Sequence, residues 1–250
     1  MTDELLSLRV MLVSASQVDE ELFRKAASMS KVPIEIMVAD NVASANRPIT
    51  AGVGLVFIDM AMGSDSSAQL MAASRAAPEP PFTVLLSAPE TSPPFPTDAL
   101  ATKPDGLEEA KRLIERAVRI RLPTRVMVVD DSATMRSIIH KILAATRFPL
   151  VVTEVAQAGE AIELVRRAEF EIVFVDYNMP GFSGLETIGE LRREQPHLTF
   201  VLITASQDEN VAKAARAQGV TFLKKPFFSV DIEAVLCSFY GLRALNPKRS

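Results

Sequence analysis

Polar and acidic residues recur at a fixed interval along this sequence, and each occurrence follows an apolar run. Asp59 and Asp176 each follow four apolar residues, and they lie 117 positions apart. Ser87 and Thr204 end two further apolar runs and are separated by the same 117 positions. Lys103 and Lys225, both followed by proline, continue the correspondence. A repeat of this length in a chain of 250 residues predicts two copies of one structural unit.

Each copy alternates apolar runs of strand length with segments of helical period. The predicted strands are Leu8–Val13, Ile34–Val38, Gly54–Ile58, Phe82–Leu86, Val126–Val129, Leu150–Val152, Ile172–Val175 and Phe200–Ile203. The clearest predicted helices are Glu20–Met29, Ala133–Leu143, Ala161–Ala168, Leu185–Arg193 and Val211–Ala217. Continuous apolar strands alternating with amphipathic helices predict an α/β fold with a parallel sheet covered on both faces.

The boundary between the copies follows one amphipathic segment. Residues Gly106–Arg121 have apolar side chains at helical spacing and form the predicted last helix of the first copy. Pro123 ends this helix because proline cannot continue it, and the second copy begins at Arg125. We therefore predict domains over residues 1–122 and 123–250.

Composition excludes several classes of protein. The formal net charge of −4 and the sequence pI of about 5.4 argue against a nucleic-acid-binding surface. Cys237 is the single cysteine, which excludes a disulfide framework. No apolar stretch reaches the roughly 18 residues of a membrane span, and the acidic start is unlike a signal peptide. The expected location is the cytoplasm, without membrane association.

Three acidic residues follow two predicted strands of the second copy. Asp130 and Asp131 end one strand, and Asp176 ends another. A single acid there would be an ordinary helix N-cap. Three acids at the ligand-binding edge of an α/β sheet repel one another unless a cation such as Mg²⁺ neutralises them. A carboxylate beside such a metal can attack a phosphoryl group, for which Thr204 and Lys225 would supply donors.

This ordered set resembles the receiver domain of two-component response regulators. The matching segments are Val128–Ser132, Asp176–Gly184, Ile203–Ala205 and Lys224–Phe227, within a resemblance that covers residues 125 to about 242. The resemblance implies a flavodoxin-like (βα)5 fold in each copy, with a five-stranded parallel sheet of order 2-1-3-4-5.

The resemblance also implies a metal and phosphorylation site. Asp176 is then the phosphoacceptor. The cofactor is Mg²⁺ or Mn²⁺, bound by the carboxylates of Asp131 and Asp176 and by the backbone carbonyl of Asn178. Asp130 completes this metal site by orienting the water shell, while Asn178 and Ser206 modulate dephosphorylation.

Four further positions have implied roles around the phosphoryl group. Thr204 and Lys225 contact it, and the small Ala205 leaves room for it. Thr204 moves toward the new phosphoryl group and, with the aromatic Phe222, forms the switch. Phe222 carries no hydroxyl, so a readout through a tyrosine hydroxyl is not expected.

The first copy resembles the same fold over residues 8 to about 121, but its site is degenerate. Its counterparts of the site residues are Ser14, Ala15, Asp59, Ser87 and Lys103. Since serine and alanine replace the acid pair, we expect little Mg²⁺ binding and little phosphorylation of Asp59. A pair between Asp59 and Lys103 could instead stabilise one fixed conformation.

The first copy also differs where its fourth helix would lie. Pro89, Pro93, Pro94 and Pro96 follow its fourth predicted strand, and no helix interior tolerates them. We therefore predict an altered or missing fourth helix. The changed face is either a contact or recognition surface or the result of loop drift, and the sequence leaves both open.

The function implied is that of a response regulator. A histidine kinase or histidine phosphotransfer protein would donate the phosphoryl group to Asp176, and the modified protein would bind an unknown downstream protein, with a homodimer also allowed. No DNA-binding or enzymatic output domain is expected, and the only chemistry is self-directed phosphotransfer and dephosphorylation. The alternatives are a phosphoryl shuttle or sink in a relay and a constitutive pseudo-receiver scaffold. A phosphatase of the haloacid dehalogenase type is disfavoured because Asn178 stands where that family has a second acid.

Overall fold

A computed structural model describes residues 8–89, 93–205 and 209–244. Contacts within the chain define two compact units. Of the described residues, the first unit contains 8–121 and 240–244, and the second contains 122–239. The domain limits predicted from the sequence stay a prediction. The two units differ from them chiefly after residue 239, because residues 240–244 pack with the first unit and the sequence analysis assigned them to the second domain.

A five-stranded parallel sheet organises the first unit, in the order β2-β1-β3-β4-β5. Its strands are β1 (Leu8–Val13), β2 (Ile34–Ala39), β3 (Leu55–Asp59), β4 (Phe82–Ser87) and β5 (Ala99–Thr102). This order confirms the flavodoxin-like fold predicted for the first copy. Its first four strands match the predicted ones to within one residue at each end, because each consists mainly of apolar residues.

Four helices accompany this sheet among the residues that the structure describes. They are α1 (Gln17–Ser28), α2 (Val42–Thr50), α3 (Ser64–Ala76) and α4 (Leu107–Ile120), with one 3₁₀ turn over Met60–Met62. Between β4 and β5 the described residues, 88–89 and 93–98, contain no helix. The first unit is therefore reduced at its fourth helix, as the prolines predict.

The second unit repeats the sheet, in the order β10-β9-β8-β6-β7, which is 2-1-3-4-5 read from the other edge. Its strands are β6 (Thr124–Val129), β7 (Leu150–Val155), β8 (Ile172–Asp176), β9 (Thr199–Thr204) and β10 (Thr221–Lys224). Its helices are α5 (Ala133–Ala144), α6 (Ala158–Arg167), α7 (Gly184–Glu194), α8 (Glu209–Ala217) and α9 (Ser229–Phe239). The second copy thus has the full set of five strands and five helices.

Buried aliphatic and aromatic side chains fill both faces of the two sheets. Strands β3 and β8 are buried along their whole length. Helix α4 packs Leu113, Ile114 and Ala117 inward, whereas Lys111, Arg112, Glu115 and Arg116 lie on the more exposed side. This arrangement leaves only the strand ends open to polar chemistry.

The segment after α9 packs in the first unit. Arg243 pairs antiparallel with Leu100 of β5, and their backbone N–H and C=O groups form two hydrogen bonds of 2.8 Å. Tyr240 and Leu242 are buried beside this pair. The edge strand β5 is therefore covered by residues that the sequence alone assigns to the other copy.

Within the described residues, no helix is long and apolar enough to span a lipid bilayer.

Candidate functional site

The carboxyl edge of the second sheet gathers four of the predicted site residues. Asp130 directly follows β6, Asp176 ends β8, Thr204 ends β9, and Lys225 follows β10. Strands β6, β8 and β9 are adjacent and parallel, so their ends meet at one edge. Lys225 extends this edge because its backbone N–H donates to the Thr204 carbonyl oxygen over 2.7 Å.

One ammonium group links two of the carboxylates. Lys225 Nζ donates to Asp176 Oδ1 over 2.6 Å and lies 3.4 Å from Asp130 Oδ2. Both carboxylates are at least 95% buried. The backbone N–H of Asn178 donates to the other Asp176 oxygen, Oδ2, over 2.9 Å. Asp176 is therefore held in one orientation from both sides.

Burial of Asp130 opposes the ionisation of its carboxyl group. Desolvation raises the pKa of the Asp130 carboxyl above its usual range, and the nearby Asp176 carboxylate adds to this rise. A hydrogen bond from the Ser132 N–H and the charge of Lys225 act in the opposite direction and do not cancel the rise. The two acids thus lie close enough to disfavour each other's charge, and a cation at this edge would relieve that repulsion.

Asp131 and Asn178 lie at the periphery of this edge. Both are exposed, and the Asp131 carboxylate has no hydrogen-bond or ion-pair partner among the described residues. Likewise, in residues 8–89, 93–205 and 209–244, no three His, Cys, Asp or Glu side chains converge on a common point where a metal ion would be bound. The structure brings together Asp130 and Asp176 but leaves Asp131 apart from them.

The donor set nevertheless fits Mg²⁺. Proteins usually hold this ion through one or two carboxylates, with water and phosphate oxygens completing an octahedron. Asp130 and Asp176 provide two neighbouring carboxylates, and the exposed Asp131 is the next residue after Asp130. These oxygens are hard ligands, so the chemistry of the site favours Mg²⁺ or Mn²⁺ over a softer metal.

Gly184 allows a helix to start against the backbone of Asp176. Its N–H donates to the Tyr177 carbonyl oxygen over 2.9 Å. A Cβ at position 184 would lie 2.5 Å from the Asp176 carbonyl oxygen and 2.8 Å from Tyr177 Cα. Glycine is therefore required here by close approach rather than by a special backbone angle, and it fixes α7 beneath the Asp176 loop.

The remaining predicted residues surround this edge at different depths. Thr204 is fully buried, and Ala205 immediately after it is exposed. Phe222 is partly buried and packs against the core of the second unit. Lys225 precedes Pro226 across a cis peptide bond. Ser206, the predicted modulator of dephosphorylation, lies outside the described residues.

The first unit builds a different arrangement at the corresponding edge. Lys103 Nζ lies 2.7 Å from Asp59 Oδ2 and 2.7 Å from Asp19 Oδ2. Ser14 Oγ donates to Asp19 Oδ2 over 2.6 Å and lies 3.3 Å from Asp59 Oδ2. Ala15 is exposed and adds no ligand. Four side chains thus form one closed network around the lysine.

Asp19 is the residue of this network that sequence reasoning missed. It lies in the first turn of α1, on the face that buries Phe23, Ala26 and Ala27. An acid at an apolar position of an amphipathic helix could have revealed it. Although burial of the Lys103 ammonium opposes its charge, hydrogen bonds to Asp19 and Asp59 outweigh that effect and raise the pKa of Lys103.

Ser87, the counterpart of Thr204, contacts the chain's C-terminal segment. Arg243 Nη2 lies 3.1 Å from Ser87 Oγ and 3.3 Å from the Ala88 carbonyl oxygen. The same guanidinium contacts the Pro89 carbonyl oxygen through Nη1. Ser87 therefore does not join the Asp59 network and has a local partner instead.

Comparisons with known proteins agree with this fold. A family model of the response regulator receiver domain matches residues 126–236. The nitrate/nitrite response regulator protein NarP of Escherichia coli is 34% identical over 129 residues, covering 50% of this chain and 60% of NarP. The chemotaxis protein CheY-3 of Vibrio cholerae is 30% identical over 116 residues, covering 45% of this chain and 88% of CheY-3.

A solved structure extends the likeness of fold to both units. It is described as a probable two-component system response regulator/GGDEF domain protein, and it aligns with 94% of this chain and 98% of its own at a TM-score of 0.59 and 20% identity. The family match, the coverage of CheY-3 and the two sheets of order 2-1-3-4-5 lead to one conclusion: the chain belongs to the two-component response regulator receiver family and carries the receiver fold twice in tandem.

Proposed function

We propose that the second unit is a phosphoacceptor receiver and that Asp176 accepts the phosphoryl group. The observation that carries this proposal is the placement of two buried strand-end carboxylates, Asp130 and Asp176, on the single ammonium of Lys225, with the exposed Asp131 next in the chain. Such a site offers carboxylate ligands for a cation, a nucleophilic oxygen and an ammonium group at one strand edge. Those are the parts that a metal-assisted phosphotransfer to a carboxylate requires.

In the proposed reaction, a carboxylate oxygen of Asp176 attacks the phosphorus of a phosphohistidine on a kinase or phosphotransfer protein. The new O–P bond forms as the P–N bond to histidine breaks, and the released imidazole nitrogen keeps the electron pair and takes a proton from solvent. Lys225 moves its charge from the carboxylate to the phosphoryl oxygens. Asp131, Asp176 and the Asn178 carbonyl would hold Mg²⁺, with Asp130 orienting its water shell, and the ion would neutralise negative charge on the incoming phosphoryl group.

In this proposal, the protein phosphorylated at Asp176 acts as a signalling switch and not as an enzyme with repeated turnover. A phosphoryl group at Asp176 adds about two negative charges and strong acceptor oxygens. Thr204 and the neighbouring Ala205 stand at the next strand end, where a buried hydroxyl can move toward the new acceptor. We infer a cytoplasmic output by protein–protein binding, with the shuttle or sink as the alternative if the acyl phosphate is short-lived or returns to histidine.

For the first unit, we propose a pseudo-receiver that keeps one conformation without metal. Its support is the closed network in which Lys103 contacts both Asp19 and Asp59 at 2.7 Å. Ser14 and Ala15 stand where the second unit has Asp130 and Asp131, so no strand-end acid pair is present to hold a metal. This unit would serve as a constant binding or scaffolding module beside the switch.

The test is intact-mass analysis after incubation of the full chain with Mg²⁺ and acetyl phosphate. Wild type and Asp59→Asn should each gain one phosphoryl group, whereas Asp176→Asn should gain none. Omitting Mg²⁺ should abolish the gain in the wild type and in Asp59→Asn. Phosphorylation of Asp176→Asn, or none in the wild type, would refute the assignment of Asp176.

A further inference from the structure

A guanidinium group holds the backbone of the acidic loop in the second unit. Arg136 lies in the first turn of α5, and its Nη1 donates to the Asp130 carbonyl oxygen over 2.7 Å. The same nitrogen lies 3.3 Å from the Asp131 carbonyl oxygen. Arg136 thus contacts the main chain of both adjacent acids without contacting their carboxylates.

Neighbouring side chains hold Arg136 in turn. Its Nε lies 3.6 Å from Glu154 Oε2 on β7. The other oxygen, Glu154 Oε1, lies 2.6 Å from His140 Nδ1, one helical turn further along α5. The Arg136 side chain is only 17% exposed, so it is ordered by these contacts rather than spread in solvent.

Comparison with the first unit shows whether the first helix of a unit needs an arginine at this position. Both units cap their first helix in the same way: the Asp19 N–H donates to Ser16 Oγ and the Met135 N–H to Ser132 Oγ, each over 3.3 Å. Starting the helix therefore requires the serine in both units. The counterpart of Arg136, however, is Glu20, which pairs with Arg24 on its own helix.

Further positions differ at the same place. Arg136 and Glu20 are 116 positions apart, and Glu154 has Val38 as its counterpart at that spacing. The strand registers agree, since Val38 pairs with Leu12 and Glu154 pairs with Val128. Ser14 and Ala15 replace the acid pair. The unit that lacks the acids therefore also lacks both the arginine and its supporting carboxylate, while it keeps the cap that the fold requires.

We propose that Arg136 is a positioning residue for the metal site, with Glu154 as its support. By fixing two successive carbonyl groups, Arg136 limits the rotation of the peptide planes that carry Asp130 and Asp131. Its positive charge also reduces the repulsion within the acidic cluster. This inference rests on the proposed Mg²⁺-dependent function, and it names the residue outside the ligand set on which metal affinity depends.

Metal affinity of the full chain, followed by NMR titration with MgCl₂ at constant ionic strength, tests this proposal. Arg136→Ala should raise the Mg²⁺ dissociation constant about tenfold, as loss of an outer-shell partner does in other metal sites. Arg136→Lys should recover part of the loss, because an ammonium keeps the charge but not the fork geometry. Arg193→Ala, which removes an exposed pair with Glu190, is the control and should leave the affinity unchanged.

Two further measurements keep the outcome decisive. Amide hydrogen exchange of Asp131 and Ser132 without metal should accelerate in Arg136→Ala, since the loop loses its backbone contact. If that variant fails to fold, Glu154→Val, which introduces the first unit's residue, should still weaken Mg²⁺ binding several-fold. If Arg136→Ala folds and binds Mg²⁺ with wild-type affinity, the positioning role is wrong. If Arg136→Ala does not fold, wild-type Mg²⁺ affinity in Glu154→Val leads to the same conclusion. Absence of Mg²⁺ binding by the wild type would instead refute the proposed function.

Discussion

The two units place a lysine among carboxylates in different ways. In the second unit, Lys225 Nζ lies 2.6 Å from Asp176 Oδ1 but 3.4 Å from Asp130 Oδ2, and a further acid, Asp131, adjoins the edge. In the first unit, Lys103 Nζ lies 2.7 Å from both carboxylates of its site. Both sites thus pair two buried carboxylates with one ammonium, but the second has the longer Lys225–Asp130 distance and the adjoining Asp131, whose added carboxylate suits a divalent cation.

The source of the second carboxylate explains this difference. In the second unit, Asp130 directly follows a strand. In the first unit, Asp19 lies on the buried face of a helix and contacts the lysine from there. The same fold therefore pairs one lysine with two buried carboxylates in both units, although a strand end supplies the second carboxylate in one unit and a helix supplies it in the other.

Among the substitutions that distinguish the two units, the largest change in the free energy of unfolding is expected at Gly184. Gly184→Ala should destabilise the second unit by about 3 kcal/mol, because its Cβ would clash with backbone atoms that cannot move independently of Asp176. The first unit has Ser67 at the corresponding position, so the restriction is specific to the second unit's loop. Chemical denaturation monitored by hydrogen exchange of β8 measures the change.

Gly189→Ala is the matched control for that substitution. Position 189 lies in the same helix with open space around a new Cβ, so alanine should stabilise the helix by about 0.5–1 kcal/mol. Equal behaviour of the two variants would show that the close approach at Gly184 does not constrain the site.

A smaller effect should separate the two lysines. Lys103→Ala leaves two buried carboxylates unpaired and should destabilise the first unit by about 2 kcal/mol, less than for a fully buried pair because Lys103 is one-third exposed. Lys225→Ala should also destabilise the second unit, and added Mg²⁺ should restore its stability. Hydrogen exchange of β3 and β8 peptides, with and without Mg²⁺, distinguishes the units. Rescue of Lys103→Ala by Mg²⁺ would contradict the metal-independent first site.

The smallest expected effect concerns pH. The pKa of Asp130 is raised in the folded state, so the folded protein binds this proton more tightly than the unfolded chain does. The free energy of unfolding therefore falls as the pH rises from the ordinary value of 3.8 through the raised pKa. Asp130→Asn removes this loss, so without metal it should unfold at a higher temperature than wild type near neutral pH. The difference should shrink toward pH 4. Thermal unfolding of both proteins in EDTA across this range measures it, and a constant difference would argue against titration of Asp130.

Elements with one dominant pattern were predictable from sequence. Strand β1 was predicted at its observed limits, and β8 was predicted to within one residue, because continuous apolar runs have no alternative as exposed loops. Helices α2 and α3 were not identified individually: α2 contains Pro48, and α3 is rich in serine and alanine without a clear apolar stripe. The edge strands β5 and β10 have four residues each, too few for a period to emerge.

The sequence by itself determined the repeat, the fold class and the order of polar residues at the strand ends, because these depend on local pattern and spacing. Only the tertiary structure decided which of those residues meet. Asp19 joined the first site through the packing of a helix, and Arg136 reached the acidic loop through a side-chain geometry that spacing does not encode. The residues after α9 were assigned by contact with β5 rather than by position in the chain. Long-range contacts of this kind depend on the relative placement of whole elements, which no local sequence pattern specifies.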